Sequence, residues 1–214
     1  MKSNKQKIVL ASGNAGKLRE FFRILGDSSI EGKNTDSSGI EIVAQSDFNV
    51  VDVPETGLSF VENAIIKARN AAQQTGLPAL ADDSGIEVDA LLGKPGIYSA
   101  RYAKLNNAGE GDQANNACLL EALKETKAEL RTARFRCCIV YMRHAEDPSP
   151  LIADGHWEGV ILEKESGKAG FGYDPLFYVP THGVSSAELD ADEKNRISHR
   201  GIALQKMLTL MKGL

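Results

Sequence analysis

The chain has 214 residues with 42% hydrophobic and 25% charged content, the balance of an ordinary water-exposed globular protein able to bury a large core. A net charge of −4 excludes general electrostatic attraction to nucleic acid, although a local cluster of Lys and Arg can still hold a small anion. Three cysteines (Cys118, Cys137, Cys138) without Cys-x-x-Cys spacing exclude a disulfide framework and read as reduced core thiols of a cytoplasmic protein. The apolar run after Lys2, Lys5 and Lys7 covers only Ile8 to Ala11, too short for a signal-peptide core, and no stretch approaches a membrane span.

In chain order, Lys7-Ile8-Val9-Leu10-Ala11 reads as a buried strand. It runs through Ser12-Gly13-Asn14-Ala15-Gly16-Lys17 into a helix over about 15–25, with Leu18, Phe21, Phe22 and Leu25 on one face and Asn14 as N-cap. This is the layout of a phosphate-holding loop. Gly13 and Gly16 permit close backbone approach, the helix start offers N–H donors, Lys17 adds a point charge, and Ser12 and Asn14 add hydrogen bonds. Leu18 after the lysine excludes a Walker A loop, and an ordinary glycine-containing turn remains the alternative.

Residues 27–39, rich in Ser, Gly and Asp, read as an exposed loop insertion, followed by a short strand at 40–44. The next helix is framed by a capping box, Ser59-Phe60-Val61-Glu62, and by Gly76 and Pro78 as stop signals. Ala64, Ile65, Ala68, Ala71 and Ala72 form its packing face. A strand ending in Leu80-Ala81 then delivers Asp82 and Asp83, and Ile86 to Ala90 reads as a further strand.

An apolar strand that stops at two carboxylates points to a partner such as a metal ion, because carboxylates are costly to bury unpaired. Mg²⁺ takes oxygen ligands, often one or two carboxylates completed by phosphate oxygens, and Glu55 just ahead of the second helix is a further candidate ligand. A turn with solvated acids is the alternative. Ligands in open α/β sheets sit at the carboxyl ends of strands, so the acid pair and the phosphate loop are expected to face one site. Together they suggest Mg²⁺ and a nucleotide.

Beyond a polar loop at 104–112, the pattern predicts a helix over about 113–130, strands at 133–143 and 151–162, and a tight loop Gly170-Phe171-Gly172-Tyr173-Asp174-Pro175 before a strand at 176–179. Phe171 between two glycines is placed to stack on a base, with Asp174 accepting from a base N–H; a β-turn with core aromatics is the alternative. The tail predicts a short helix after Ser185 capped by Glu188 and a longer one from Ser198 to Met211. His199 and Arg200 fall at the start of that last helix, with Lys194 just before it, and such donors suit the acceptor oxygens of a purine or phosphate. A solvated helix start is the alternative. Alternating strands and helices argue an α/β layered fold.

Six segments together resemble the inosine-triphosphate pyrophosphatase family, in its bacterial form: Leu10 to Lys17, Glu55 to Ala64, Ala81 to Gly85, Pro95 to Arg101, Gly170 to Phe177, and Ser198 to Gly201. They occur in family order across nearly the whole chain. The resemblance implies a layered αβα fold with a long mixed sheet, one domain of two lobes with a cleft between them, and a homodimer. It implies Mg²⁺-dependent cleavage of ITP, dITP or XTP between the α and β phosphates, giving a monophosphate and pyrophosphate. Ser12, Gly13, Asn14, Ala15, Gly16 and Lys17 would hold the phosphates. Asp83 would accept the proton of the attacking water and, with Glu55, ligate Mg²⁺. Ser84 would touch the substrate, and Phe171, Gly172, Tyr173, Asp174, Lys194, His199 and Arg200 would form the base end. Ser12 stands where Thr is common in the family, and the hydroxyl is kept. A purine-nucleotide sensor without turnover is the competing reading. Intact Lys17, Glu55 and Asp83 weigh against it, and no kinase signature supports a phosphotransferase.

Overall fold

The computed structural model describes residues 6–25, 34–35 and 40–212. Its strands are β1 (Gln6–Leu10), β2 (Asn34–Thr35), β3 (Ile40–Ala44), β4 (Ala79–Val88), β5 (Thr132–Met142), β6 (Leu151–Ile161), β7 (Phe177–Val179) and β8 (Val184–Ser185). The α-helices are α1 (Ala15–Ile24), α2 (Phe60–Thr75), α3 (Tyr102–Leu105), α4 (Asp112–Ala122), α5 (Ala191–Ile197) and α6 (His199–Met211). The eight strands follow the order β2-β3-β1-β4-β5-β6-β7-β8. β1 is parallel to both β3 and β4, whereas β2 with β3, β6 with β7, and β7 with β8 are antiparallel, so the sheet is mixed, as the resemblance implied. Most of the 27–39 insertion lies outside the described residues; Asn34 and Thr35 within it form β2.

The chain divides into two compact units, the first comprising 1–83, 138–154 and 201–214 and the second 84–137 and 155–200. In the first, α2 lays its alanine face (Ala64, Ala68, Ala71, Ala72) on Val9, Ala11, Val43, Ala79 and Ala81 of the sheet and on Cys138, Val140 and Met142 of β5. Small side chains let the helix backbone sit close to the strands. α2 begins where Ser59 accepts from the Glu62 N–H, and it ends at Gly76, whose φ of 68° is a left-handed conformation that glycine adopts without cost. In the second unit an aromatic core (Phe135, Trp157, Tyr173, Phe177) is completed by Ile86, Val88, Leu119, Leu123 and Leu176. Phe135 packs 4.5 Å from Phe177 between ring centroids.

Three expectations need correction. β4 does not stop at Asp82: Ala79 to Val88 form one strand through both acids, because lysines stand beside them and no chain break is needed to solvate their charge. The helix expected over 113–130 ends at Ala122. Buried Arg131 takes the carbonyls of Leu123 at 2.8 Å and Thr126 at 3.1 Å, which fixes the chain in a turn before a short 3₁₀ segment, Ala128–Leu130. The segment after Ser185 carries the expected Ser185–Glu188 capping box but is a 3₁₀ turn, and α5 follows it on its own N-cap, Asp190. None of the three cysteines is in a disulfide, and Cys137 and Cys138 are buried. Among the described residues, no helix is long and apolar enough to cross a membrane.

Candidate active site

In the first unit the strand-to-helix loop after β1 is tied by its own side chains. Ser12 Oγ accepts from the Asn14 N–H at 3.2 Å, and Asn14 Oδ1 accepts from the Lys17 N–H at 3.0 Å, so Asn14 caps α1 as the sequence predicts. The Lys17 ammonium lies 3.0 Å from Asp82 Oδ2. Its neighbour on the strand, Asp83, faces the opposite way, as successive strand residues do, and meets α2. There Lys67 Nζ donates to Asp83 Oδ1 at 2.8 Å and to Glu55 Oε1 at 3.0 Å, and Asn63 Nδ2 donates to Asp83 Oδ2 at 3.3 Å. Three carboxylates (Glu55, Asp82, Asp83) thus meet two ammonium groups (Lys17, Lys67) where both aspartates are at least 95% buried.

Burial pushes the Asp83 carboxyl above its ordinary value; the charges of Lys67 and Lys17 pull it back, and Glu55 pushes it further up. Burial also acts to strip the Lys67 proton, but Asp82, Asp83 and Glu55 outweigh it, so Lys67 holds its proton more tightly than an ordinary lysine. Burial thus gives Asp83 a stronger hold on a proton than an ordinary carboxylate has.

Among the described residues no group of three or more His, Cys, Asp and Glu side chains forms a metal cage. Mg²⁺ rarely uses one: it binds one or two carboxylates and completes its shell with waters and phosphate oxygens. Glu55 and Asp83 suit that role, since both carboxylates converge on a single cationic point, the Lys67 ammonium.

The second unit holds the remaining predicted residues. Arg200, 2% exposed, donates from Nη2 to Ser84 Oγ at 2.8 Å. The half-buried Phe171 ring lies beneath two cations, Lys194 Nζ at 5.4 Å and Arg200 Cζ at 5.9 Å from its centroid. His199 stacks on Phe135, centroids 4.7 Å apart and planes 12° from parallel. Phe171, Lys194, Arg200 and Ser84 are therefore brought together as a cation–aromatic cluster. Tyr173 is instead a core residue: its hydroxyl donates to the Ser99 carbonyl at 2.8 Å, and burial pushes its pKa well above the ordinary tyrosine range, so the phenol keeps its proton. The Gly172 N–H donates to Asp112 at 2.7 Å. Asp174 is buried and accepts from the Phe171 N–H (2.9 Å), Ser186 Oγ (2.8 Å) and Lys194 Nζ (2.6 Å). It holds the loop and the lysine. Gly170 has φ 81°, and a Cβ there would collide with the Asp174 carboxylate.

Lys67 and Asn63 are the site residues the sequence reading missed. Four residues apart, they fall on one side of α2 beside its alanine stripe. A lysine and an amide next to the packing face of a well-capped helix are the signal that was available.

A family model described as the Ham1 family matches residues 8–210. A dITP/XTP pyrophosphatase of Thioalkalivibrio sulfidiphilus is 56% identical over 207 residues, covering 97% of this chain and 99% of that protein. One of Shigella flexneri is 54% identical over 209 residues, covering 97% and 98%. Among solved structures, a HAM1 protein from Coxiella burnetii superposes with a TM-score of 0.84 at 49% identity, covering 98% of this chain and all of that one. A dITP/XTP pyrophosphatase from Mycobacterium abscessus gives 0.71 at 39% identity, covering 95% and 99%.

Proposed function

Since the chain belongs to the Ham1 family, we propose that it hydrolyses the non-standard purine nucleoside triphosphates dITP, ITP and XTP to the monophosphate and pyrophosphate. The observation that carries this reading is Asp83: a buried carboxylate with a raised proton affinity, steadied by Lys67 and Asn63 and beside Glu55. Hydrolysis of a phosphoanhydride needs a base for the attacking water and positive charge for the phosphates. Asp83 accepts the proton of the water. Lys17, with the backbone of 12–16, holds the phosphates at the start of α1. Lys67 fixes the Asp83 carboxylate. Mg²⁺, when bound to Asp83 and Glu55, supplies polarisation of the phosphate and a more acidic water.

Phe171 stacks on the purine, and Lys194, His199 and Arg200 are the donors for its 6-oxo group. Adenine presents an amino donor at that position, so donor faces donor and ATP is rejected. We place the protein in the cytoplasm as a homodimer, on family membership and on three cysteines outside any disulfide.

The test is incubation with dITP, ITP, XTP, ATP and GTP plus Mg²⁺, with pyrophosphate and orthophosphate assayed separately. Monophosphate and pyrophosphate from dITP or XTP, and little from ATP, are expected. Orthophosphate alone would overturn the reading, and binding without turnover would give the protein to the nucleotide-sensor class. Omitting Mg²⁺ is expected to abolish turnover, and sedimentation equilibrium is expected to return twice the chain mass.

A further inference from the structure

Asn63 has no exposed surface and bridges Asp83 and the backbone of Gly57, two residues beyond Glu55. Its amide oxygen accepts from the Gly57 N–H at 2.9 Å, and its amide nitrogen donates to Asp83 Oδ2 at 3.3 Å. The two bonds set the amide's orientation. Turned over, its oxygen would face the Asp83 carboxylate and its N–H the Gly57 N–H, two repulsive pairs in place of two bonds. Gly57 is two residues beyond Glu55, and its backbone sits so close to α2 that a Cβ would stand 2.6 Å from Glu62 Cβ and 2.8 Å from Asn63 Oδ1. At the other end of this segment, Val51 is held by Gln74 and Asn70 through 2.9 and 2.8 Å bonds. The stretch carrying Glu55 is therefore clamped at both ends to one helix. Asn63, four residues before Lys67, also gives Asp83 a donor on its second oxygen: Lys67 takes Oδ1 and Asn63 takes Oδ2.

We propose that Asn63 is a positioning residue for the hydrolysis: it fixes the rotation of the Asp83 carboxylate and locks that carboxylate in register with the Glu55 segment. This rests on Asp83 being the base of the proposed reaction. A carboxylate held at both oxygens by residues of one rigid helix cannot turn about its Cβ–Cγ bond without breaking a bond, so its remaining acceptor direction stays aimed where the water arrives. A hydrogen bond to a charged group is worth about 1.5–3 kcal/mol, which sets the scale of the loss at roughly tenfold to a hundredfold.

The test compares Asn63→Asp with Asn63→Ala, measuring kcat and KM for dITP and the melting temperature of each. Asn63→Asp keeps an acceptor for Gly57 but places a carboxylate oxygen against Asp83; because the added charge itself raises the proton affinity of Asp83, kcat is read on its high-pH plateau, where a merely structural role predicts a near-normal value. The proposal predicts a kcat lowered about tenfold to a hundredfold, with KM within about threefold of the parent. A second arm adds Asn63→Asp to Asp83→Asn, where it is expected to cost no further activity. An Asn63→Asp protein with parental kcat, or a full additional loss in the Asp83→Asn background, overturns the proposal. If Asn63→Ala proves too unstable to assay, the Asn63→Asp kinetics and the cycle decide alone. Absence of pyrophosphate release by the parent protein would instead sink the underlying reading, so the two failures are distinct.

Discussion

The acidic cluster of the first unit and the cation–aromatic cluster of the second handle positive charge in opposite ways. Lys17 and Lys67 sit against carboxylates at 3.0 Å or less. Lys194 and Arg200 lie over the face of Phe171, with Asp174 and Ser84 as polar partners. The first arrangement suits a task in which protons and phosphates are handled. The second suits a flat ligand that needs a ring to stack on and N–H donors at its edge. One carboxylate also plays a different part in each. Asp83 has a proton affinity raised by burial, and the proposed function uses it as the base, whereas Asp174, filled by three donors, only holds its surroundings in place.

The sharpest way to break this contrast is Asp83→Asn. Loss of a positioned general base is worth about 10²- to 10⁴-fold, and we expect kcat for dITP to fall by that much. Stability should move the other way. A carboxyl whose folded pKa is raised contributes stability at low pH that is lost as pH rises through the folded value. At neutral pH the charged Asp83 therefore costs stability, and Asp83→Asn should melt at an equal or higher temperature. A mutant that is both inactive and clearly less stable would show the acid to be structural.

Lys17→Ala comes next, with KM for dITP raised up to about a hundredfold, the loss of one charge-assisted contact, and a lower melting temperature because Asp82 loses the ammonium beside it. Phe171→Ala sharpens the other side. A stacked base is worth about 1–3 kcal/mol, so a KM increase of about thirtyfold is expected with kcat nearly kept. A kcat effect as large as that of Asp83→Asn would erase the division of labour. The smallest effect is expected at a surface ion pair remote from either task. Asp89 is held below the ordinary carboxylate range by hydrogen bonds from Arg134 and then Thr132, so its contribution is present above the unfolded pKa and fades as pH falls through the folded one. Being exposed, it is worth less than about 1 kcal/mol, and Asp89→Asn should lower stability by that little near pH 7 and by progressively less as pH falls through the carboxylate range.

Much of the site was legible in the sequence because it lies on short segments whose residue types have few other uses. The Ser12 to Lys17 loop, the Asp82-Asp83 pair and the Ser59 and Gly76 caps of α2 are local signals, and each appears where the chain placed it. What stayed hidden depends on partners far along the chain. That β4 continues through two acids depends on Lys17 and Lys67, 65 and 16 residues from their partners, and no local pattern shows such a pairing. The early end of α4 depends on Arg131 folding back onto the carbonyls of Leu123, the helix C-cap, and Thr126 just beyond it. Asp174 resembles a ligand contact in a Gly-Phe-Gly-Tyr-Asp string, and only the positions of Ser186 and Lys194 reveal that its oxygens are already engaged.

The continuous run of β4 also limits how this protein can change. Asp82 and Asp83 are consecutive and serve opposite sides of the sheet, one toward Lys17 and the other toward Lys67. Inserting or deleting one residue between the Val9–Ala79 pairing and these acids would reverse the face that each aspartate presents, taking it away from its own lysine, and an indel before Ala81 would turn that alanine away from α2. Point substitutions can be sampled singly along this strand, but its length cannot drift: any lineage that altered it by one residue would lose core and chemistry in a single event.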